Sequence, residues 1–530
     1  MHHCAPRHEK GLSLKEERMI TSLACIPKGA ARSTPLRFEL SKEEYTHLKA
    51  VAAGTSKDES NEEAEGDDDD GDNEAAFEDI DSEDEVREEV AADGLLGGND
   101  MVEEDEAFDL MEYGDNALAM NVDDDEDDAD VDDDRIKASD KLLAVAISDE
   151  DYSHLEVQLY SPEEGSLFVH HDIILPDMPL CLAWLDCPPF KDDSGGQSDC
   201  GNYLAVGTMS PAIEIWNLDV MDPLEPSATL GGVATKKKKA KKGKKGSKGK
   251  SEMVLRPGSH VDAVMALSWN SSYRQALASG SADCTVKVWD VTSQGCLQTF
   301  QHHSDKVQCV SWHPNEAWLL ATGSFDNSVG LIDCRTDGSS VATVPIGADI
   351  EDMTWDPFNN NLLFCSMEDG VVTCIDIRQT GSALYSFKAH DECASSISFS
   401  PLVPSMLATA SQDQTVKVWD TACAPEPKCV AYKSMAVGAL FTVQYFPGDP
   451  FLMAAGGDKG TLALWESETL QEIEAHFKGR VQMSGPMCDG GADMAPHNDS
   501  NAGDMELDNE EEVPDDDKKK SKNKKKGKKR

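Results

Sequence analysis

The hexapeptide TVKVWD occurs at 285–290 and again at 415–420. An identity of that length between two distant stretches marks a repeated structural unit, and a repeat restricts the fold before any other feature is read. Trp289 and Trp419 mark the two copies. Between them, Ile332 in SVGLID and Ile375 in VVTCID hold the same context, and Trp465 in TLALWE follows. The successive steps are 43, 43, 44 and 46. Trp216 in AIEIWN and Tyr160 in LEVQLY carry the series back to seven equivalent strand ends.

A second phase runs beside the first. Trp269 precedes Trp289, Trp312 precedes Ile332, Trp355 precedes Ile375, Phe399 precedes Trp419 and Tyr445 precedes Trp465, all by one and the same interval. Trp184 precedes Trp216 by 32, so that unit carries about 12 extra residues in the polar stretch PPFKDDSGGQSDCG. Eight of the nine Trp fall on one of the two phases, and only Trp318 does not. A periodic Trp is a core residue, so these positions report architecture and not reactivity. The first unit has no partner at that interval before Tyr160. ITSLACIP (20–27) aligns without gaps on VQCVSWHP (307–314), with Cys25 at the place of Trp312. The first unit therefore opens near the N-terminus and is split by a long insertion.

Within each unit short β-rich runs alternate with Gly, Asp, Asn and Ser turns. Four strands in about 43 residues is the period of a propeller blade. The expected fold is all-β, a seven-bladed β-propeller with long disordered acidic and Lys-rich insertions and tails. Residues 1–18 read as an extension and 19–40 as the first strand of blade one. Residues 41–53 read as a short helix, since Ser41 and Glu44 have capping-box spacing. An acidic insertion covers 54–137, and the propeller covers 138–480, interrupted by a Lys-rich loop at 233–256. The tail 481–530 is acidic, then basic. With antiparallel strands a to d running outward from the hub, loops a–b and c–d share one face, and b–c and d–a share the other. The acidic insertion is an a–b loop and the Lys-rich loop a d–a loop, so they are expected on opposite faces.

Charge narrows the partners. The formal net charge is −52. Residues 58–134 hold 38 acidic residues against Arg87 alone, and so few apolar ones that the stretch reads as disordered. Ten Lys lie in 236–250, and ten Lys or Arg lie in 518–530. Residues 138–497 outside the Lys run hold 46 acidic and 15 basic residues, or −31. A surface so acidic repels a phosphate backbone over most of its area and suits basic proteins. Lys236, Lys237, Lys238, Lys239, Lys241, Lys242, Lys244 and Lys245 are the candidates for local phosphate contact, without interleaved aromatics for base stacking. Lys518, Lys519, Lys520, Lys524, Lys525, Lys526, Lys528, Lys529 and Arg530 read as a nuclear or nucleolar signal. Within the acidic stretch, Phe108, Leu110, Met111, Tyr113 and Leu118 form an apolar island suited to docking on a partner. Ser82 precedes three acidic residues, as in an acidophilic-kinase site.

No nucleotide loop, HExxH or GxSxG occurs, and KKGKKGSKGK lacks both the preceding strand and the P-loop spacing. No catalytic residue, metal ligand, cofactor or small-molecule substrate is expected. The fifteen Cys contain no CxxC pair, which fits a reducing compartment. No apolar run is long enough for a membrane helix.

The units GSH…LASGSAD…VKVWD and KAH…LATASQD…VKVWD resemble the WD40 repeat family. That resemblance implies a hydrogen-bonded network of His, Ser or Thr, Asp and Trp inside each blade. Carried over by motif, blade three offers His260, Ser279, Asp283 and Trp289, and blade six offers His390, Thr409, Asp413 and Trp419. Blade four offers His303, Thr322 and Asp326, with Ile332 replacing Trp. Blade five has Asp369, Cys365 and Ile375 and no His. A more specific resemblance spans about 19–480. It rests on MITSLACIPKGAA, LEVQLYSPEEGSLFVHHDIILPDMPLCLAWLD, GNYLAVGTMSPAIEIWNLDVMDPLEPSATLGG before a Lys run, and SVGLIDCR. These are similar to the periodic tryptophan protein 1 family. The resemblance implies a nuclear and nucleolar protein in ribosome biogenesis, acting in large-subunit precursor assembly and ribosomal RNA gene transcription. Its partners would be pre-ribosomal proteins and assembly factors, with pre-rRNA on the Lys-rich loops. The alternative class is a chromatin protein that binds histones and regulates transcription.

Overall fold

Each unit opens with a strand of alternating apolar residues, then a second strand of small and apolar residues buried on both sides. Such strands suit the crowded interior of a radial sheet stack. The computed structural model describes residues 18–38, 135–149, 152–190, 200–234, 254–336 and 341–482. They form seven radial sheets in sequence order.

Blade one pairs Met19–Ile26, Lys141–Ser148, Ser153–Ser161 and Ser166–Leu175 as strands a to d. Blades two to six begin at Pro179, Val264, Val307, Ile350 and Ser396, each with four antiparallel strands. Blade seven has three among the described residues: Leu440–Tyr445, Leu452–Gly457 and Ala463–Glu466. The a strands form the hub, each packed against those of its neighbours. Met19–Ile26 closes the ring against Leu440–Tyr445, where the Cys25 amide donates to Gln444 Oε1 at 2.7 Å.

The constant offset between the two phases has a structural meaning. Trp269 pairs with Leu277, and Leu277 with Trp289, so the two phases share one row across strands a, b and c. The same row reads Trp312–Leu320–Ile332, Trp355–Leu363–Ile375, Phe399–Leu407–Trp419 and Tyr445–Met453–Trp465. Trp184–Leu204–Trp216 follows it despite the extra residues in the a–b loop. Blade one departs from it. The row from Cys25 crosses Leu143 to Gln158, and Tyr160 pairs with Lys141. Tyr160 instead donates its hydroxyl to Glu466 of blade seven at 2.6 Å, pinning the closing blades together.

After blade seven a short helix, α1 (Gln471–Phe477), buries Ile473 and Phe477 completely beside Trp465. Arg480 then forks onto the buried carboxylate of Asp420 in blade six, at 2.9 and 2.8 Å, and His476 reaches it at 2.7 Å. Burial raises the Asp420 pKa, but Arg480 and His476 outweigh it and hold the group down at about 2.

Candidate functional site: blade interiors and the outer cleft

The b–c turn of blade three places Asp283 beside the d–a residue His260. His260 Nδ1–H donates to Asp283 Oδ2 at 3.0 Å, and its Nε2 lies 2.7 Å from Ser279 Oγ. Trp289 Nε1–H donates to the same hydroxyl at 2.8 Å. The indole can only donate, so the Ser279 proton must point at His260 Nε2, and that fixes the imidazole tautomer. The chain of protons runs Trp289, Ser279, His260, Asp283. Asp283 Oδ1 also accepts from the Thr285 amide and hydroxyl, which caps the turn. Burial raises the Asp283 pKa, but the hydrogen bonds from His260 and Thr285 win and hold it well below the carboxylate range. Burial also lowers the His260 pKa against the pull of Asp283, so the neutral imidazole is the folded species.

Blade six repeats this geometry. His390 reaches Asp413 at 2.8 Å and Thr409 at 2.7 Å, and Trp419 donates to Thr409 at 3.1 Å. Blade four brings His303 to Asp326 at 2.9 Å and to Thr322 at 2.8 Å. Ile332 offers no donor there. His302 does, with Nε2 3.0 Å from Thr322 Oγ1. Its ring enters where Gly330 leaves room; a Cβ on Gly330 would stand 2.5 Å from His302 Nε2. Sequence reasoning missed His302, although an extra His beside a missing Trp was the available signal. In blade five no His among the described residues reaches Cys365, and the interior around Phe364, Cys365, Cys374 and Ile375 is fully buried and apolar. Asp369 still accepts from the Val371 amide at 3.0 Å. The three complete networks are buried structure; His260, His303 and His390 have side-chain exposures of 0%.

The two faces of the disc differ. The d–a and b–c loops expose Asp262, Asp305, Glu368, Asp369, Asp391 and Glu392. Burial and the nearby Glu368, Asp349 and Asp352 charges raise the Glu351 pKa, opposed by Lys306. The a–b and c–d face carries arginines held by aspartates: Arg274 on Asp186, Arg335 on Asp333 and Arg378 on Asp376, each at 2.6 Å. On that face a cleft of about 1590 Å³ spans blades two to four. Trp318, the one Trp outside the periodic series, lies there with the Arg335 guanidinium 4.3 Å from its ring centroid. It is half-buried there and stands outside the a–b–c row that the periodic Trp occupy.

Among the described residues no group of three or more His, Cys, Asp or Glu could hold a metal ion, and no helix is long and apolar enough to cross a membrane. The lysines of 236–250, the basic residues of 518–530, Ser82, the apolar island at 108–118 and the segment 41–53 lie outside the described residues.

The radial sheets and their His–Ser/Thr–Asp interiors define a WD-repeat propeller. The family of the WD domain, G-beta repeat, matches residues 250–290, 294–333 and 381–420, which carry strands a to c of blades three, four and six. An uncharacterized WD repeat-containing protein of Schizosaccharomyces pombe is 34% identical over 87% of this chain and 92% of its own length. The periodic tryptophan protein 1 homolog of Drosophila melanogaster is 31% identical over 83% of this chain and 92% of its own. Periodic tryptophan protein 1 of Saccharomyces cerevisiae is 28% identical over 66% of each chain. The chain belongs to the periodic tryptophan protein 1 family of WD-repeat proteins.

Proposed function

We propose that this protein is a non-catalytic nucleolar scaffold in ribosome biogenesis, acting in large-subunit pre-rRNA processing and assembly and in ribosomal RNA gene transcription. Its membership of the periodic tryptophan protein 1 family carries this reading. The chemistry of the blades is consistent with it. The histidines of the three complete blade networks are spent on internal hydrogen bonds and are shielded from solvent, where a substrate could not reach them. The exposed acidic loops of the d–a and b–c face suit Lys- and Arg-rich proteins such as pre-ribosomal proteins. The ten Lys of 236–250 connect Gly231, the end of blade two, to Val264, the start of blade three, and supply sequence-independent contacts to pre-rRNA phosphates.

Ultraviolet crosslinking in cells, followed by sequencing of the attached RNA, tests the reading. Wild type should give discrete pre-rRNA sites, and a variant with the Lys of 236–250 changed to Ser should give the same sites more weakly. RNA at background in both, with histones as the main recovered proteins, would overturn the reading in favour of chromatin.

A further inference from the structure

An acid recurs around the hub at one place in the blade. Asp177, Asp262 and Asp305 each stand two residues before the first residue of strand a, which is Pro179, Val264 and Val307. Glu392 follows His390 by two residues, as Asp262 follows His260 and Asp305 follows His303. Blade five varies the pattern by one residue, with Asp349 directly before Ile350. The d–a loops leading into blades two to six therefore each place a carboxylate on the same face. Among the described residues none of these carboxylates has an ion-pair partner, whereas Arg274, Arg335 and Arg378 of the opposite face are each held by an aspartate. Two thiols register the uncompensated charge. Burial, and then Asp305, Asp283, Asp326 and Asp262, raise the Cys284 pKa. Burial, and then Glu351, Glu368 and Asp369, push that of Cys393 up to about 12.

The same face has an apolar shelf on the loops of blades one to three. Tyr152, Met209 and Val261 are 53%, 58% and 69% exposed there. The Met209 amide donates to Met178 O at 3.0 Å, next to Asp177. Ser259 Oγ lies 3.5 Å from Pro211 O, which sets the Val261 loop beside the Met209 turn. Exposed apolar side chains bordered by charge without internal partners make a protein-docking surface, and the charge selects a cationic occupant.

The spacing narrows the occupant further. Packed sheets stand roughly 10 Å apart, so the acids follow one another at about that interval. A polyproline II segment advances about 9 Å in three residues and returns its side chains to the same side. A basic residue at every third position then meets one acid per blade. A β-strand would turn alternate basic residues away, and a run of adjacent Lys would cover only part of the arc.

We propose that the d–a and b–c face docks an extended segment of a partner protein, with Lys or Arg at every third residue along Asp177, Asp262, Asp305, Asp349 and Glu392, and a large apolar side chain on the shelf of Tyr152, Met209 and Val261. This gives the partner chemistry of the acidic face and rests on the reading of the protein as a scaffold for basic proteins.

The test measures fluorescence anisotropy of labelled peptides on the full chain at physiological ionic strength. One peptide has five Lys at every third position, separated by Ser and Pro, and a terminal Phe. Its isomer has the same composition with the Lys adjacent, and should bind at least fivefold more weakly. Asp177→Lys and Glu392→Lys, at the two ends of the arc, should each weaken the spaced peptide at least tenfold, and Val261→Ser about threefold. These are exposed loop positions, and urea midpoints equal to wild type show that the fold is kept. Glu163→Lys, on the opposite face, should change the affinity less than twofold. Equal affinity of the two isomers, or a loss in Glu163→Lys as large as in Glu392→Lys, would overturn the proposal. So would a tenfold gain when the Lys of 236–250 are changed to Ser, since that run would then be the occupant. No RNA is present, so the crosslinking test of the ribosome-assembly reading can fail while this one succeeds, and the reverse.

Discussion

Blades three and four contain the same His, hydroxyl and Asp and differ at the residue that should complete the network. Blade three has Trp289, whose indole N–H donates to Ser279 at 2.8 Å. Blade four has Ile332, and the donor arrives from another element, with His302 on the d–a connection 3.0 Å from Thr322. The exchange is coordinated with a third position. Lys287 and Lys417 stand in strand c of blades three and six where blade four has Gly330, and only Gly admits the His302 ring. The blade therefore requires a donor on the hydroxyl, and tryptophan is one way to provide it. Blade five shows the other solution. With Cys365 in place of the hydroxyl and no His, the polar group disappears and the space becomes apolar core. A half-satisfied buried network would cost more than either arrangement.

The largest test of this equivalence is His260→Ala against His303→Ala. Each leaves a shielded Asp carboxylate without its imidazole donor, which should cost about 3 kcal/mol in both blades. Urea unfolding midpoints measure it, and a blade-four cost less than half that of blade three would break the comparison. A smaller effect isolates the substitute donor. His302→Ala should cost about 2 kcal/mol, through a lost hydrogen bond and a cavity. In an Ile332→Trp background the same change should be nearly neutral, because the indole then supplies the donor. The coupling in this double-mutant cycle is the quantity to read. A cycle that closes additively would show that His302 merely fills space.

Much of this was legible in the chain because seven repeats average out local ambiguity. Two aromatic phases at a fixed offset specify strand a, strand b and strand c in one register, as the Trp269–Leu277–Trp289 row illustrates. Blade one was less legible. Its third strand is longer, at nine residues, so the row from Cys25 meets Gln158 and the aromatic Tyr160 serves the contact with blade seven. The donor role of His302 was also hidden, since it depends on the absence of a side chain at Gly330 in a different strand. Arg480 was hidden for a similar reason. It reaches Asp420 from beyond a whole further blade and a helix, a separation over which no periodicity speaks. Trp318 was visible as an exception, but an exception in a sequence does not say where in the fold it lies.

The smallest predicted effect is a difference in pH dependence, and it separates the two donors by chemistry. An indole does not titrate, whereas His302 does. Burial, and then the neighbouring His303, push its pKa down to about 4, against about 6.5 in an unfolded chain. Protonation therefore favours the unfolded state. The stability associated with neutral His302 is full above pH 6.5 and is lost as the pH falls toward 4. His303 and His260 are shifted in the same direction by burial, so both blades lose stability on acidification. Blade four has one more such group than blade three. Replacing His302 by Ala together with Ile332→Trp should flatten the plot of stability against pH between about 6.5 and about 4 by less than one proton, and leave it unchanged above about pH 7. Urea midpoints across that range measure the slope. An unchanged slope would mean that His302 titrates alike in the folded and unfolded chains, and that its burial beside Thr322 does not control its charge.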